Sequence, residues 1–333
     1  MKIIIPMAGR GSRLRPHTLT VPKPLIPIAG KPIVQRLVED LTDSFPGEVD
    51  EVAFIIGDFG KEVEAQLQAI AERVGARASI YYQDKPLGPA HAIYCGRESI
   101  DGPSIVAFAD TLFRADFAFD TRNDGIIWVQ QVDDPSSFGV VKVNEEGIIT
   151  EFVEKSPEFV SDLAIVGLYY FRDGQNLRRE LEYLIDNDIK DKGEFQITSV
   201  LENMKANGTR FRPSRIQEWL DCGTKENVLN TNRRMLEIKR DEEPLVHDTV
   251  TAENSIIIPP CFIGANTILR GSVIGPYVSI GHNVVVEQSV IEDSVVQNNT
   301  SIRNANLGNA MIGNEVEYEG EKADISVGDY SVL

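Results

Sequence analysis

The segment Ala8-Gly9-Arg10-Gly11-Ser12-Arg13-Leu14-Arg15-Pro16 follows the apolar run Ile3-Ile4-Ile5. A glycine turn after a buried strand lets backbone N–H groups approach an anion, because no Cβ stands in the way. Arg13 offers a planar fork that fits two phosphate oxygens. Lys23 supplies a point charge between Pro22 and Pro24; the two rings stiffen the backbone and lower the entropy lost in holding the ammonium. These residue types support phosphate handling. Two common phosphate loops fail on the letters. The dinucleotide fingerprint needs a third glycine where Leu14 stands, although Asp58 could serve as its acidic ribose ligand. The P-loop needs Lys-Ser or Lys-Thr after its second glycine, and here Ser12-Arg13 follows Gly11.

What remains is the pattern G-x-G-x-R-L-x-P-x-T-x-x-x-P-K-P-L-x-P-x-x-x-K-P, running from Gly9 to Pro32. It closely resembles the signature of the sugar-1-phosphate nucleotidyltransferases, also called nucleotide-sugar pyrophosphorylases. The resemblance covers about residues 1–240. It implies a Mg2+-dependent enzyme that joins an NTP to a sugar-1-phosphate and releases pyrophosphate. It also implies that Ala8, Gly9, Gly11 and Ser12 contact the nucleotide and that Arg13 and Lys23 act in catalysis.

Further positions carry over residue by residue. Asp110 ends the run SIVAFAD, where ligands gather in open α/β sheets; on its own it would pass for a turn cap. Asp221, in Trp219-Leu220-Asp221-Cys222-Gly223-Thr224, resembles the family's second metal-binding carboxylate. Two carboxylates suit magnesium, a hard ion that keeps waters. Gln83 and Gly88 resemble the segment that reads the nucleobase. A Gln amide can donate to a base oxygen and accept from the adjacent ring N–H, as thymine, uracil and guanine allow. Glu154 and Lys155 resemble the pair that meets the sugar and its phosphate, with Ser156 in place of the usual Pro. Gly139, Gly167 and Glu194 resemble residues that face or shape the sugar pocket, although Ser199 stands where many members have Asp. The expected reaction is in-line attack of the sugar phosphate on the α-phosphorus. The preferred substrates are dTTP or UTP with glucose-1-phosphate, and the alternative is GTP with mannose-1-phosphate. Readings from other classes are a catalytically silent nucleotide-sugar-binding homologue and an assembly module built around the C-terminal region.

Positioning these residues requires alternating elements. Periodicity predicts strands at 2–7, 52–57, 78–82 and 104–110, and helices at 32–45, 61–74 and from Pro89. Such alternation implies an α/β fold with a Rossmann-like, mixed but mostly parallel sheet. Shorter strands are expected at 126–132, 140–143, 148–153, 164–171 and 209–215, and helices at 173–187, 198–206 and 224–239. After a linker at 241–253 the texture changes. Ile263, Leu269, Ile274, Ile280, Val286, Ile291, Ile302, Leu307 and Ile312 recur about every six residues, often followed by Gly. That is the hexapeptide signature of a left-handed parallel β-helix, expected over 254–319 with a tail at 320–333. His282 resembles the base of β-helix acyltransferases, but the short repeat favours a structural role.

The formal charge of −18 repels nucleic acid and anionic lipid and excludes both as partners. Against it, the first 36 residues hold Lys2, Arg10, Arg13, Arg15, Lys23, Lys31 and Arg36 without an Asp or Glu. No apolar run nears the roughly 20 residues of a membrane span. Cys95, Cys222 and Cys261 are odd in number and far apart, which fits a reducing cytoplasm better than a disulfide framework. The flat sides of a β-helix predict a homo-oligomer.

Overall fold

The computed structural model describes residues 1–9, 11–45, 47–114, 120–321 and 326–327. Arg10 and most of the expected tail lie outside them. The chain packs as two units, one of Met1–Ile26 with Pro32–Gly223, the other of Pro27–Lys31 with Thr224–Leu333. The division precedes the helix Lys225–Lys239 rather than following it.

In the first unit β1 (Lys2–Pro6), α1 (Ile33–Ser44), β2 (Glu51–Ile56), α2 (Lys61–Arg73), β3 (Arg77–Tyr82), α3 (Pro89–Cys95) and β4 (Ser104–Ala107) alternate. Ile3, Ile4 and Ile5 are fully buried, as is all of β2. Burial on both faces is what a parallel sheet covered by helices demands. On α1, Ile33, Leu37, Val38 and Leu41 form the buried face that their spacing predicts. The later strands are β5 (Thr111–Arg114), β6 (Gly125–Gln131), β7 (Gly139–Val143), β8 (Ile149–Glu154), β9 (Leu163–Phe171), β10 (Phe211–Arg215) and β11 (Glu218–Asp221). Nine of these eleven strands form one sheet, ordered β8-β7-β9-β4-β1-β2-β3, with β6 on β9 and β10 on β6. β4, β1, β2 and β3 run parallel, and β9 runs antiparallel to β4. The sheet is thus mixed, as expected.

Two elements are absent from the periodicity. β5 and β11 form a separate antiparallel ribbon that pairs Thr111 with Asp221 and Leu112 with Leu220. The predicted strand 104–110 ends at Ala107, so Asp110 lies in the link between β4 and the ribbon. In β9 the register against β6 shifts between Ile165 and Tyr169, around Gly167 at φ +83°. Such a bulge bends the strand locally.

The second unit joins α4 (Lys225–Lys239) to three parallel sheets of five, four and four short strands. This is the parallel β-helix the hexads predict. Thr251 pairs with Ile268, Ile268 with Val285, Val285 with Ser301 and Ser301 with Glu317. The coils are therefore 17, 17, 16 and 16 residues long, shorter than three full hexads, which accounts for the five-residue steps in the sequence. Ile263, Leu269, Ile274, Ile280, Val286, Ile291 and Ile302 fill the interior; Leu307 and Ile312 pack at its end. The corners take left-handed residues, repeatedly Asn (Asn254, Asn266, Asn283, Asn299, Asn304 and Asn309), a conformation Asn tolerates. Asn266, Asn283 and Asn299 also bond in a side-chain ladder at 3.1 Å per rung. Gly264 and Gly281 answer a different need. A Cβ on Gly264 would lie 2.7 Å from the Gly281 carbonyl in the next coil, so stacking excludes one. On α4 the buried Asn232 Oδ1 accepts from Ala29 N–H at 2.9 Å and from Ser279 Oγ at 2.7 Å.

Candidate functional site

At the carboxyl ends of the parallel strands lies a cleft of about 400 Å³. Its walls include Ala8, Gly9, Gly11, Ser12, Arg13, Lys23, Gln83, Gly88, Asp110 and Glu194, ten of the residues singled out by sequence. After β1, Met7 N–H still bonds Ile55 O at 2.8 Å, and the chain then turns away through the glycines. Gly11 has φ +61° and starts the 3₁₀ turn Ser12–Leu14, whose Leu14 is buried. A Cβ on Gly11 would sit 2.7 Å from Lys23 Cβ. Left-handed backbone and close packing both require glycine there. Thr18 Oγ1 ties the loop down by donating to Gly11 O at 2.7 Å.

Lys23 begins a second 3₁₀ turn, Lys23–Leu25, between its two prolines. Only 8% of it is exposed, and its Nζ lies 3.2 Å from Asp110 Oδ2. The ion pair answers the cost of burying an ammonium. Arg13 is exposed and has no ion-pair partner among the described residues. Three other N-terminal cations lie elsewhere. Lys2 pairs with Glu51 and Asp101, Lys31 pairs with Glu243, and Arg36 is buried in α1. Among the described residues, the cations that line the cleft are Arg13 and Lys23.

The β5–β11 ribbon places the backbone of Asp221 beside that of Asp110, although only Asp110 is among the residues that line the cleft. Asp221 is opposite Thr111, and Cys222 N–H donates to Asp110 O at 3.1 Å. Trp219 Nε1 donates to Thr111 Oγ1 at 2.7 Å across the ribbon. Gly223 N–H donates to Asp221 Oδ1 at 3.0 Å and orients that carboxylate. Asp110 is about half exposed toward the cleft, at 53%. Among the described residues no cluster of three or more His, Cys, Asp and Glu side chains could hold a metal. A pair of hard carboxylates is a donor set that fits magnesium, which takes one or two carboxylates with phosphate oxygens and water.

The expected sugar-binding residues form a neighbouring group. Glu154 is largely buried, accepts from Thr198 Oγ1 at 3.2 Å and pairs with Lys155 at 3.5 Å. A Cβ on Gly139 would reach 3.0 Å from Glu154 Oε2. Lys192, which the sequence did not single out, clasps the carbonyls of Glu154 and Lys155 at 2.9 and 2.7 Å. Gly167 backs the Phe108 ring, which lines the cleft. Phe138 packs on Trp219 with ring centroids 5.1 Å apart, so the ribbon touches this group as well. Tyr169 is buried between the two regions. Burial first, then the charges of Glu154 and Asp110, push its phenol above its ordinary value. Nothing in its apolar strand context marked it.

Comparison with known proteins follows the same outline. Residues 2–238 match the family described as Nucleotidyl transferase. The chain is 30% identical over 311 residues to a glucose-1-phosphate thymidylyltransferase of Streptomyces antibioticus, covering 85% of this chain and 83% of that protein. It is 31% identical over 281 residues to the mannose-1-phosphate guanylyltransferase catalytic subunit beta of Danio rerio, covering 80% and 74%. A solved structure of apo UDP-glucose pyrophosphorylase shares the fold, with a TM-score of 0.59 at 24% identity over 72% of this chain and 98% of that one. The motif from Gly9 to Pro32, the cleft it lines and the match over 2–238 agree: the chain belongs to the nucleotidyl transferase family.

Proposed function

We propose that the chain transfers a nucleoside monophosphate from an NTP to a sugar-1-phosphate, giving an NDP-sugar and pyrophosphate. One observation carries this reading. Arg13, Lys23, Gln83 and Asp110 line one cleft at the strand ends, and backbone pairing holds Asp221 beside Asp110.

A sugar phosphate dianion brings its own nucleophile, so the chain need supply neither nucleophile nor base. One of its oxygens bonds to the α-phosphorus, the bond from that phosphorus to the α–β bridging oxygen breaks, and pyrophosphate leaves with the electron pair. The protein positions charge in this reaction. Backbone N–H groups of Ala8, Gly9, Gly11 and Ser12 meet the nucleotide phosphates, and Arg13 holds the departing pyrophosphate. Lys23 and Lys155 hold the incoming phosphate near the α-phosphate. Asp110 and Asp221 would hold Mg2+, which when bound neutralises charge on phosphate oxygens. Glu154 accepts from sugar hydroxyls, while Gly139, Gly167 and Glu194 shape that pocket. Gln83 and Gly88 face the base.

The nucleobase segment and the opening motif favour dTTP or UTP with glucose-1-phosphate. The relative from Danio rerio keeps GTP with mannose-1-phosphate as a second reading. Pyrophosphate release measured for dTTP, UTP and GTP against glucose-1-phosphate and mannose-1-phosphate tests both. Release is expected with glucose-1-phosphate and a pyrimidine nucleotide. Silence in every combination would replace the enzyme with a nucleotide-sugar-binding homologue. We further propose a homo-oligomer in the reducing cytoplasm. All three cysteines are free, and among the described residues no helix is long and apolar enough to cross a membrane.

A further inference from the structure

We infer that His91 is a positioning residue that fixes which atom of the Gln83 amide meets the nucleobase, so that the site offers a carbonyl acceptor and selects a base with a ring N–H there. This rests on reading the cleft as a nucleoside triphosphate site.

Gln83 follows β3, and its backbone N–H donates to Ile56 O at 2.8 Å. Its side-chain Nε2 lies 3.2 Å from Gly88 O and 3.0 Å from His91 Nδ1. A carbonyl can only accept, so the atom facing Gly88 must be the NH2 group. That removes the usual ambiguity of an amide. Gly88 cannot move aside easily, because a Cβ there would lie 2.7 Å from both Phe195 N and Phe195 O.

His91 takes the second hydrogen. Its ring stacks on Phe195 with centroids 6.4 Å apart. Burial lowers its pKa, which favours the neutral ring. A neutral imidazole protonated at Nε2 presents Nδ1 as an acceptor. The Cys95 thiol lies 3.9 Å from the same nitrogen and is a weaker donor. With one hydrogen on Gly88 O and the other on His91 Nδ1, Gln83 has only Oε1 left for a ligand.

This is narrower than the sequence expectation, in which Gln83 both donates to the base and accepts from it. An acceptor alone suits N3–H of uracil and thymine or N1–H of guanine. Cytosine turns a lone pair toward it at N3, and lone pair against lone pair is repulsive. An unrestrained glutamine could rotate its amide and serve either kind of base. His91 removes that freedom.

The test is calorimetric binding of dTTP, UTP, GTP and CTP to the full chain and to His91→Leu and His91→Asn. The wild type should bind the best of the ring-N–H nucleotides at least ~10-fold more tightly than CTP, a typical effect of one buried polar mismatch. In His91→Leu that ratio should narrow to within about twofold. His91→Asn, whose Oδ1 can accept from Gln83 Nε2, should restore it. In His91→Leu, turnover at saturating nucleotide should change less than the nucleotide KM. An unchanged ratio in His91→Leu, or a ratio in His91→Asn as narrow as in His91→Leu, overturns the inference while leaving the nucleotide site standing. Failure of the wild type to bind any nucleotide overturns the reading of the cleft itself.

Discussion

Single side chains set the chemistry, and several carry measurable consequences. Lys23 is almost enclosed and paired with Asp110, so Lys23→Ala removes the buried cation and frees the carboxylate. Turnover should fall by ~10²–10³ for Lys23→Ala and for Asp110→Asn, the usual effect of deleting one preorganised electrostatic group. Steady-state kinetics on folded variants check this, and wild-type turnover in either would refute the assigned role. Glu51 makes a different, structural point. Burial is the largest influence on its carboxyl and pushes its pKa up. Hydrogen bonds from Ser79, Ser99 and Arg77, with the Lys2 charge, outweigh it and hold the value at about 2. A depressed carboxyl stabilises the fold above its ordinary pKa of 4.5 and loses that contribution as pH falls toward about 2. Glu51→Gln should therefore be less stable than wild type at pH 7, with the gap closing between pH 4.5 and pH 2 in denaturant titrations. A gap that widened on acidification would contradict this sign. Of the residues that sequence singled out, those in the continuous Gly9–Pro32 motif were the most legible, because local letters fix them. Lys192 and Tyr169 were not legible, because each acts through partners distant in the chain; His91 was not, because its contact with Gln83 depends on how the turn between them folds back.

At the scale of elements, the β5–β11 ribbon decides whether the site exists. Its strands are four residues each and about a hundred residues apart, so no local period announced them. The Trp219 Nε1–Thr111 Oγ1 hydrogen bond is a side-chain cross-link between its strands. Trp219→Phe keeps the ring against Phe138 and removes only that donor. Stability should change by about 1 kcal/mol. Turnover should fall about tenfold if the ribbon aligns Asp221 with Asp110; unchanged turnover would show that backbone pairing alone suffices. In the second unit, Asn232 occupies a comparable position. Asn232→Leu should destabilise the unit by roughly 2 kcal/mol or more, because Ala29 N–H and Ser279 Oγ would lose their buried acceptor. Thermal melts followed by circular dichroism read this directly. His282 also resolves at this scale. Its Nδ1 accepts from Ala265 N–H at 2.9 Å and so braces a coil corner, in line with the structural role expected of it.

At the scale of the molecule, the β-helix bears one outward ladder that its own coils leave open. Ile256, Val273 and Val290 stand in register on successive strands, with Ile256 60% and Val290 45% exposed. An apolar ladder on a flat parallel sheet is a natural face for a second copy of the chain. Val290→Glu should shift sedimentation toward the monomer without changing the fold. A wild type that already sediments as a monomer would refute the proposed homo-oligomer, and an unchanged oligomer in Val290→Glu would refute this interface.

The sequence alone determined the helix and strand order of the first unit, the aliphatic interior of the β-helix and the phosphate-loop motif. Each is written in local spacing, and periods of 2, 3.6 and about 6 residues report directly which face is buried. Tertiary structure alone decided that coils close in 16 or 17 residues, that Lys2, Lys31 and Arg36 serve the scaffold, and that the backbone of Asp221 lies beside that of Asp110. These outcomes depend on which backbone pairs with which across a hundred residues or between stacked coils, and no pattern in a single stretch of chain encodes that choice.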